Sequence, residues 1–290
     1  KDGLDWVGGN FAAAFGFGVG VAKTVGKGIV STTIIDEPMI LSALIGAIIL
    51  VAGASYLGLP VSASHSLIGG LIGAAIAKAG YSVLIYSGVI KVLIFIVLAP
   101  LIGMVVGFSV MILVTRISMR YKVKRNSVIF RRLQLVSAAA YSLGHGTNDA
   151  QKTMGIIAIL LFTGGYLGDT FYVPFWVIMA AHIAIGLGTL VGGKRVIKTL
   201  GMRVTKLKPI GGFSAETAGA VTLIGTALGG IPASTTHTIT GSIIGVGATK
   251  RLSSIRWSVA RRITWAWVLT IPLSSTIAGL SYLAIKLVFL

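Results

Sequence analysis

Long runs without a charged residue constrain this chain more than any other feature. A helix needs about 20 mostly apolar residues to cross the hydrocarbon core of a bilayer. Charge-free stretches at least that long run over Pro38–Ala77, Val92–Thr115, Thr170–Gly193, Thr217–Thr249 and Ile263–Ile285. Leu133–Gly168 is interrupted only by Asp149 and Lys152, and Leu4–Ala22 is a further candidate with Asp5 near its start. Of the 290 residues, 55% are hydrophobic and 11% charged, against about 25% charged in soluble domains. The absence of cysteine rules out a disulfide scaffold. No charged n-region with a short apolar segment and a cleavage site is visible, so no signal peptide is expected. The fold class expected is an all-α polytopic membrane protein.

The charges are lopsided, with 25 Lys+Arg against 7 Asp+Glu and a net charge of +18. A nucleic-acid binder needs a soluble fold with a basic face, and these apolar runs exclude one, so no nucleic-acid partner is expected. The bases crowd three loops instead: Arg116–Arg132, Lys194–Lys208 and Lys250–Arg262. The positive-inside rule assigns all three to the cytoplasm. Between the second and third loops the chain must leave and return, yet it holds two apolar pieces meeting at Ile231-Pro232. A re-entrant hairpin fits that length better than two crossings, and the same logic makes 38–77 a hairpin from the outer face. Lys23 and Lys27 then fall outside, against the rule.

The chain repeats itself. Residues 59–73 read LPVSASHSLIGGLIG and residues 231–245 read IPASTTHTITGSIIG. Pro60, Ser62, His65, Gly69, Ile72 and Gly73 match Pro232, Ser234, His237, Gly241, Ile244 and Gly245, all at an offset of 172 residues. Gly53/Gly225 and Gly58/Gly230 share that offset, and VAKTVG at 21–26 resembles VIKTLG at 196–201 at an offset of 175. With one copy entering from each face, the pattern predicts an inverted-topology repeat with two re-entrant helical hairpins. Secondary transporters built this way bind substrate at the midplane. A Pro followed by Ser or Thr opens and caps a half-helix, aiming its free N–H groups and positive dipole end at an anion. The bland alternative for the hydroxyls is helix–helix hydrogen bonding. Gly69/Gly73 and Gly241/Gly245 have the spacing of helix-packing motifs, and His65 and His237 divide evenly between a structural and a functional role.

Gly144-His145-Gly146-Thr147-Asn148-Asp149-Ala150-Gln151-Lys152 lies between membranous flanks. An ionisable group there costs ~3 kcal/mol or more and marks function by default. Gly144 and Gly146 are expected to break the helix and expose backbone groups to a cavity. The bland alternative is a structural Asp149–Lys152 pair.

These residues resemble the PiT inorganic phosphate transporters. The resemblance rests on GHGTNDAQKTMGIIA at 144–158 and the P-x-S-x-[ST]-H tips at 60–65 and 232–237. VAKTVGKGIV (21–30), GGFSAETAG (211–219) and WAWVLTIP (265–272) extend it over nearly the whole chain. The resemblance implies a symporter that imports phosphate with H+ or Na+ by alternating access. It nominates Asn148, Asp149, Ser234, Thr235, Thr236, Ser62 and Ser64 for phosphate. Asp149, Asn148 and the weaker candidate Gln151 are nominated for the coupling ion, with Na+ at Asp149 in the sodium case. Ala63 stands where the family usually carries a third hydroxyl. It further implies a multi-pass protein of a bacterial or archaeal inner membrane, contacting lipid and needing no cofactor; homodimerisation is left open. The expected organisation is a first repeat over 1–115, a basic cytoplasmic loop over 116–132 and a second repeat over 133–290. The family carries its Asn-Asp motif in both repeats, whereas the offset puts a first copy upstream of residue 1. The first repeat is therefore expected to lack its N-terminal helix.

Two rivals remain. A backbone-and-hydroxyl site separates phosphate from sulfate poorly, so an oxyanion permease of the same fold stays open. A channel with paired half-helices is the other, disfavoured by the missing Asn-Pro-Ala and the intramembrane Asp149. No nucleophile elbow or metal-ligand spacing supports an enzyme.

Overall fold

A computed structural model describes residues 19–121, 128–191 and 194–289. Among them there is no strand, only an isolated bridge between Val30 and Leu84. Nine helices of eight or more residues are described: α1 (Gly20–Gly28), α2 (Glu37–Leu57), α3 (Ala63–Ala79), α4 (Tyr86–Arg120), α5 (Val128–Thr163), α6 (Phe175–Val191), α7 (Pro209–Leu228), α8 (Thr235–Ala248) and α9 (Trp257–Phe289). The candidate span Leu4–Ala22 lies largely outside the described residues, as does part of the basic loop.

By length and apolarity, Glu37–Leu57, Tyr86–Arg120 and Trp257–Phe289 can each cross a membrane, and Phe175–Thr189 is a shorter apolar helix. The expected spans Val92–Thr115 and Ile263–Ile285 sit inside α4 and α9. The second hairpin starts earlier than its charge-free run, at Pro209, because Pro at the first helical position is already set for the helix. One expectation is overturned. The helix expected to break at Gly144 and Gly146 runs without interruption from Val128 to Thr163. Gly144 serves close approach instead, since a Cβ there would meet Leu223 at 3.2 Å and Ile224 at 3.4 Å on α7. Thr147, Asn148, Asp149, Gln151 and Lys152 of that turn each bond through their side chains while the helix stays closed.

The offset of 172 reappears in the elements. α2 begins at Glu37 and α7 at Pro209, α3 at Ala63 and α8 at Thr235. Gly58 and Gly230 both adopt left-handed φ, 68° and 63°, at the turn of each hairpin, a conformation glycine takes without steric cost. Each hairpin's second arm packs mainly on the long helix of the other half: α3 on α9, α8 on α4. The glycines explain why. A Cβ on Gly69 would overlap Ile271 and Ser274, and one on Gly73 would overlap Ser275, all on α9. Gly241 and Gly245 meet Pro100 and Met104 on α4 in the same way. Without a hydrophobic drive between helices in lipid, such contact is what holds them together.

A pair of hydroxyls completes the exchange. Thr24 Oγ1 donates to Gly230 O at 3.0 Å, and Thr199 Oγ1 donates to Gly58 O at 2.9 Å. These threonines occupy equivalent places in VAKTVG and VIKTLG, so each clasps the turn of the other half's hairpin. Arg195 strengthens one clasp by lying over the Tyr56 ring at 4.6 Å.

The apolar cores divide along α5. Ile156 and Ile159, toward its C-terminal end, pack with Met39 and Ile68 of the first hairpin and with Ile35 just before it. Phe130, near its N-terminal end, packs with Ile210, Ala215 and Val246 of the second. The two hairpins therefore approach the middle of α5 from opposite ends. Lys27 stacks against Phe162 and Phe171, at the end of α5 remote from the basic loop.

Gly241→Ala is expected to lose about 1–3 kcal/mol through overpacking, roughly 2–12 °C in Tm, when detergent-solubilised protein is melted. Gly225→Ala, with nothing within 4 Å of its added methyl, should leave Tm unchanged or raise it. Thr24→Val and Thr199→Val should each cost about 1 kcal/mol, and the double variant should show the sum, because the clasps share no partner.

Candidate functional site

Each hairpin tip is built from a turn, a proline and a capped helix start. Ser62 Oγ accepts from His65 N at 3.2 Å, and Ser234 Oγ accepts from His237 N at 3.3 Å. Both caps have extended backbone, the usual geometry of an N-cap. The first intrahelical bond of α3 runs from Ser66 N to Ser62 O, which leaves the preceding amides without helical partners. Ser64, Thr235 and Thr236 lie in these first turns, beside the middle of α5.

One turn of α5 joins the two tips. Asp149 Oδ1 accepts from Ser64 Oγ at 3.0 Å, and Asp149 Oδ2 accepts from Thr235 Oγ1 at 2.9 Å. Lys152 Nζ donates to Asp149 Oδ1 at 2.8 Å, to Ser64 Oγ at 2.7 Å and to Ala233 O at 2.6 Å. His145 Nε2 lies 3.3 Å from Asp149 Oδ2, one turn earlier. The lysine side chain is 2% exposed and the aspartate side chain 16%, so the carboxylate keeps a small opening while the ammonium is enclosed. Burying two charges is tolerable only when they are paired and their remaining hydrogen-bonding capacity is filled. Here the tips do the filling.

The other nominated residues take distinct places. Asn148 Nδ2 donates to Leu223 O of α7 at 2.8 Å, while its Oδ1 is buried with no partner among the described residues. Thr236 Oγ1 donates to Val61 O at 3.2 Å, tying tip to tip. Ser62 and Ser234 act as caps. Gln151 does not join the centre. Two residues beyond Asp149 it is roughly 200° around the helix, and its Oε1 accepts from Val21 N at 2.9 Å and Ala22 N at 3.4 Å. There it caps the start of α1, which has no side-chain cap of its own.

Behind the tips the matched histidines meet. His65 and His237 rings stand edge to face at 4.7 Å, and His237 stacks on Trp267 at 4.0 Å. Trp267 Nε1 donates to Pro60 O at 3.0 Å, and His237 Nδ1 lies 3.3 Å from Ile96 O. Both imidazoles therefore buttress the tips. A cavity of about 510 Å³, lined by Met111, Arg116, Ile210, Lys208 and Lys250, lies elsewhere, at the basic ends of α4, α7 and α8.

Lys152 is the central residue that sequence reasoning treated only as a structural partner of Asp149. Its signal was present: His145, Asp149 and Lys152 follow the spacing i, i+4, i+7 of one helix face. The bond to Ala233 O, from a hairpin 81 positions away, had no sequence signal.

Comparison with known proteins agrees with this architecture. A model of the phosphate transporter family matches residues 7–129 and 118–278. A probable low-affinity inorganic phosphate transporter of Rhizobium meliloti (strain 1021) is 50% identical over 279 residues, 96% of this chain and 84% of that protein. One of the same description from Bacillus subtilis (strain 168) is 41% identical over 282 residues, 97% of this chain and 84% of the relative. A solved structure described as the sodium-dependent phosphate transporter shares the fold, with a TM-score of 0.85 at 23% identity, over 99% of this chain and 90% of that one. The chain belongs to the phosphate transporter family.

Proposed function

We propose that this protein imports inorganic phosphate across the cell membrane, driven by a gradient of H+ or Na+, through alternating access between two inverted repeats. Residues 1–115 and 133–290 are the repeats, and the basic stretch 116–132 between them, which includes the end of α4 and the start of α5, is cytoplasmic. α2–α3 and α7–α8 are re-entrant hairpins whose tips meet near the midplane. The observation that carries this proposal is the turn of α5 at Asp149, bridged to Ser64 on one tip and Thr235 on the other. Relatives described as phosphate transporters support the substrate, and a family of transporters leaves no call for an enzymatic reaction.

Depth supports a half-crossing for the short arm α8. Half of a bilayer with its headgroups is about 20 Å, which a helix covers in roughly 14 residues, and α8 has 14. The opposite approach of the two hairpins along α5 supports inversion. The outer surface supports lipid contact, with Leu273, Leu280, Leu283 and Leu287 of α9 all exposed.

The proposed chemistry follows from the tips. The opening amides of α3 and α8, with their dipoles, and the hydroxyls of Ser64, Thr235 and Thr236 donate to phosphate oxygens, as helix starts do for anions generally. Ser62 and Ser234 hold those starts in shape. Asn148 Oδ1, a buried acceptor awaiting a donor, takes the P–O–H of a protonated phosphate, since such an atom is costly to leave unpaired. Asp149, compensated by Lys152, ties both tips to α5, and the coupling cation enters with the phosphate it neutralises. Alternate loosening of the Thr24 and Thr199 clasps then frees one tip at a time.

Asp149→Asn is expected to reduce concentrative uptake of labelled phosphate into proteoliposomes to background, and unchanged uptake would overturn the proposal. Excess unlabelled sulfate should leave wild-type phosphate uptake intact. Competition as strong as that from phosphate itself would instead make the protein a general oxyanion permease.

A further inference from the structure

We propose that the Lys152 ammonium is a tethered cation: it fills, from within the chain, the seat beside Asp149 that a bound Na+ would need, so uptake does not depend on Na+. The inference deepens the phosphate-transport proposal and rests on it for its transport readout.

The donor count identifies the group. Lys152 Nζ faces three acceptors: Asp149 Oδ1, Ser64 Oγ and Ala233 O. Ser64 Oγ spends its own hydrogen on Asp149 Oδ1, so toward Lys152 it offers a lone pair. Three acceptors require three N–H bonds, which the ammonium has and a neutral amine lacks. An ammonium matches this set of three acceptors, with all its hydrogens used.

The acceptor set is that of a hard cation. A carboxylate, a hydroxyl and a main-chain carbonyl are the oxygen ligands such ions take, and broken-helix carbonyls beside a carboxylate are how transporters hold Na+. Ala233 O is the carbonyl just ahead of the α8 cap, and Ser64 lies in the first turn of α3. The ammonium thus bridges the same three elements that a coupling ion would have to bridge. With the side chain enclosed, a second cation sharing those oxygens would lie within a few ångströms of the first, where repulsion in a poorly solvated interior is severe.

Nothing else described offers Na+ a comparable home. Glu216, the other acid in a membrane segment, is already bonded by Ser137 Oγ at 2.6 Å and Gln134 Nε2 at 3.3 Å. Of the two cations that the sequence leaves open, the proton fits this arrangement, for it needs no oxygen cage and can travel on the phosphate. The sodium dependence in the description of the structural neighbour then belongs to that protein alone.

The test compares wild type with Lys152→Ser, both reconstituted, measuring initial uptake of labelled phosphate under an inward proton gradient in Na+ or choline medium. Wild type should show the same rate in both. Lys152→Ser should lose about tenfold or more in choline, as expected for a buried charge left unpaired, and recover in Na+. In parallel, detergent-solubilised Lys152→Ser should melt higher in NaCl than in choline chloride at equal concentration, because an ion bound only by the folded state stabilises it, whereas wild type should not. Wild-type uptake that requires Na+, wild-type stabilisation by Na+, or a variant indifferent to Na+ in both readouts would overturn the inference. If Lys152→Ser does not fold, the wild-type responses decide. If wild type carries no phosphate in any medium, the phosphate proposal fails, while the melting comparison still judges the cation seat.

Discussion

An ion pair enclosed in an apolar helix bundle has to be fully satisfied, and the rest of this structure can be understood as the means of satisfying it. Asp149 and Lys152 share a turn of α5, and between them they hold hydrogen bonds to both hairpin tips. Removing either charge would strand the other in a medium that solvates it poorly. The tips are therefore held to α5 by electrostatics as well as by packing. The carboxylate keeps a small opening while the ammonium is enclosed.

Around that centre the two halves exchange parts. The second arm of each hairpin lies on the other half's long helix, with glycines at the contact. Thr24 and Thr199 each reach across to the other half's hairpin turn. Reciprocal contacts of this kind make neither half independent of the other. Small residues make it feasible in lipid, where close backbone approach replaces the hydrophobic effect as the source of attraction.

Much of this was legible from the chain, for specific physical reasons. The hairpins were visible because Pro60 and Pro232, followed by Ser62 and Ser234, leave a local signature of a capped start. Their repetition at 172 residues marked them as one device used twice. Asp149 was visible because acids are scarce in apolar runs. Three points were not legible. Gly144 and Gly146 suggest unwinding when read alone, yet α5 is continuous, and Gly144 serves close approach to α7 instead. Gln151 sits beside Asp149 in sequence but caps α1, since neighbours in a helix point in different directions. Lys152 looked like a local counter-ion, and its bonds to Ser64 and Ala233 depend on elements folded against it.

The sequence by itself determined that this is a helical membrane protein, that it is internally repeated, and that its two matched helix starts carry capping serines behind a proline. Those are consequences of local chemistry: apolar length, capping, and the expense of charge in hydrocarbon. Only the tertiary structure decided which tip hydroxyls meet Asp149, that Asn148 keeps an unpaired oxygen, and that Lys152 reaches Ser64 and Ala233. Those facts depend on three elements converging within hydrogen-bonding distance, and a short-range pattern of residues carries no record of distances between segments 80 or more positions apart.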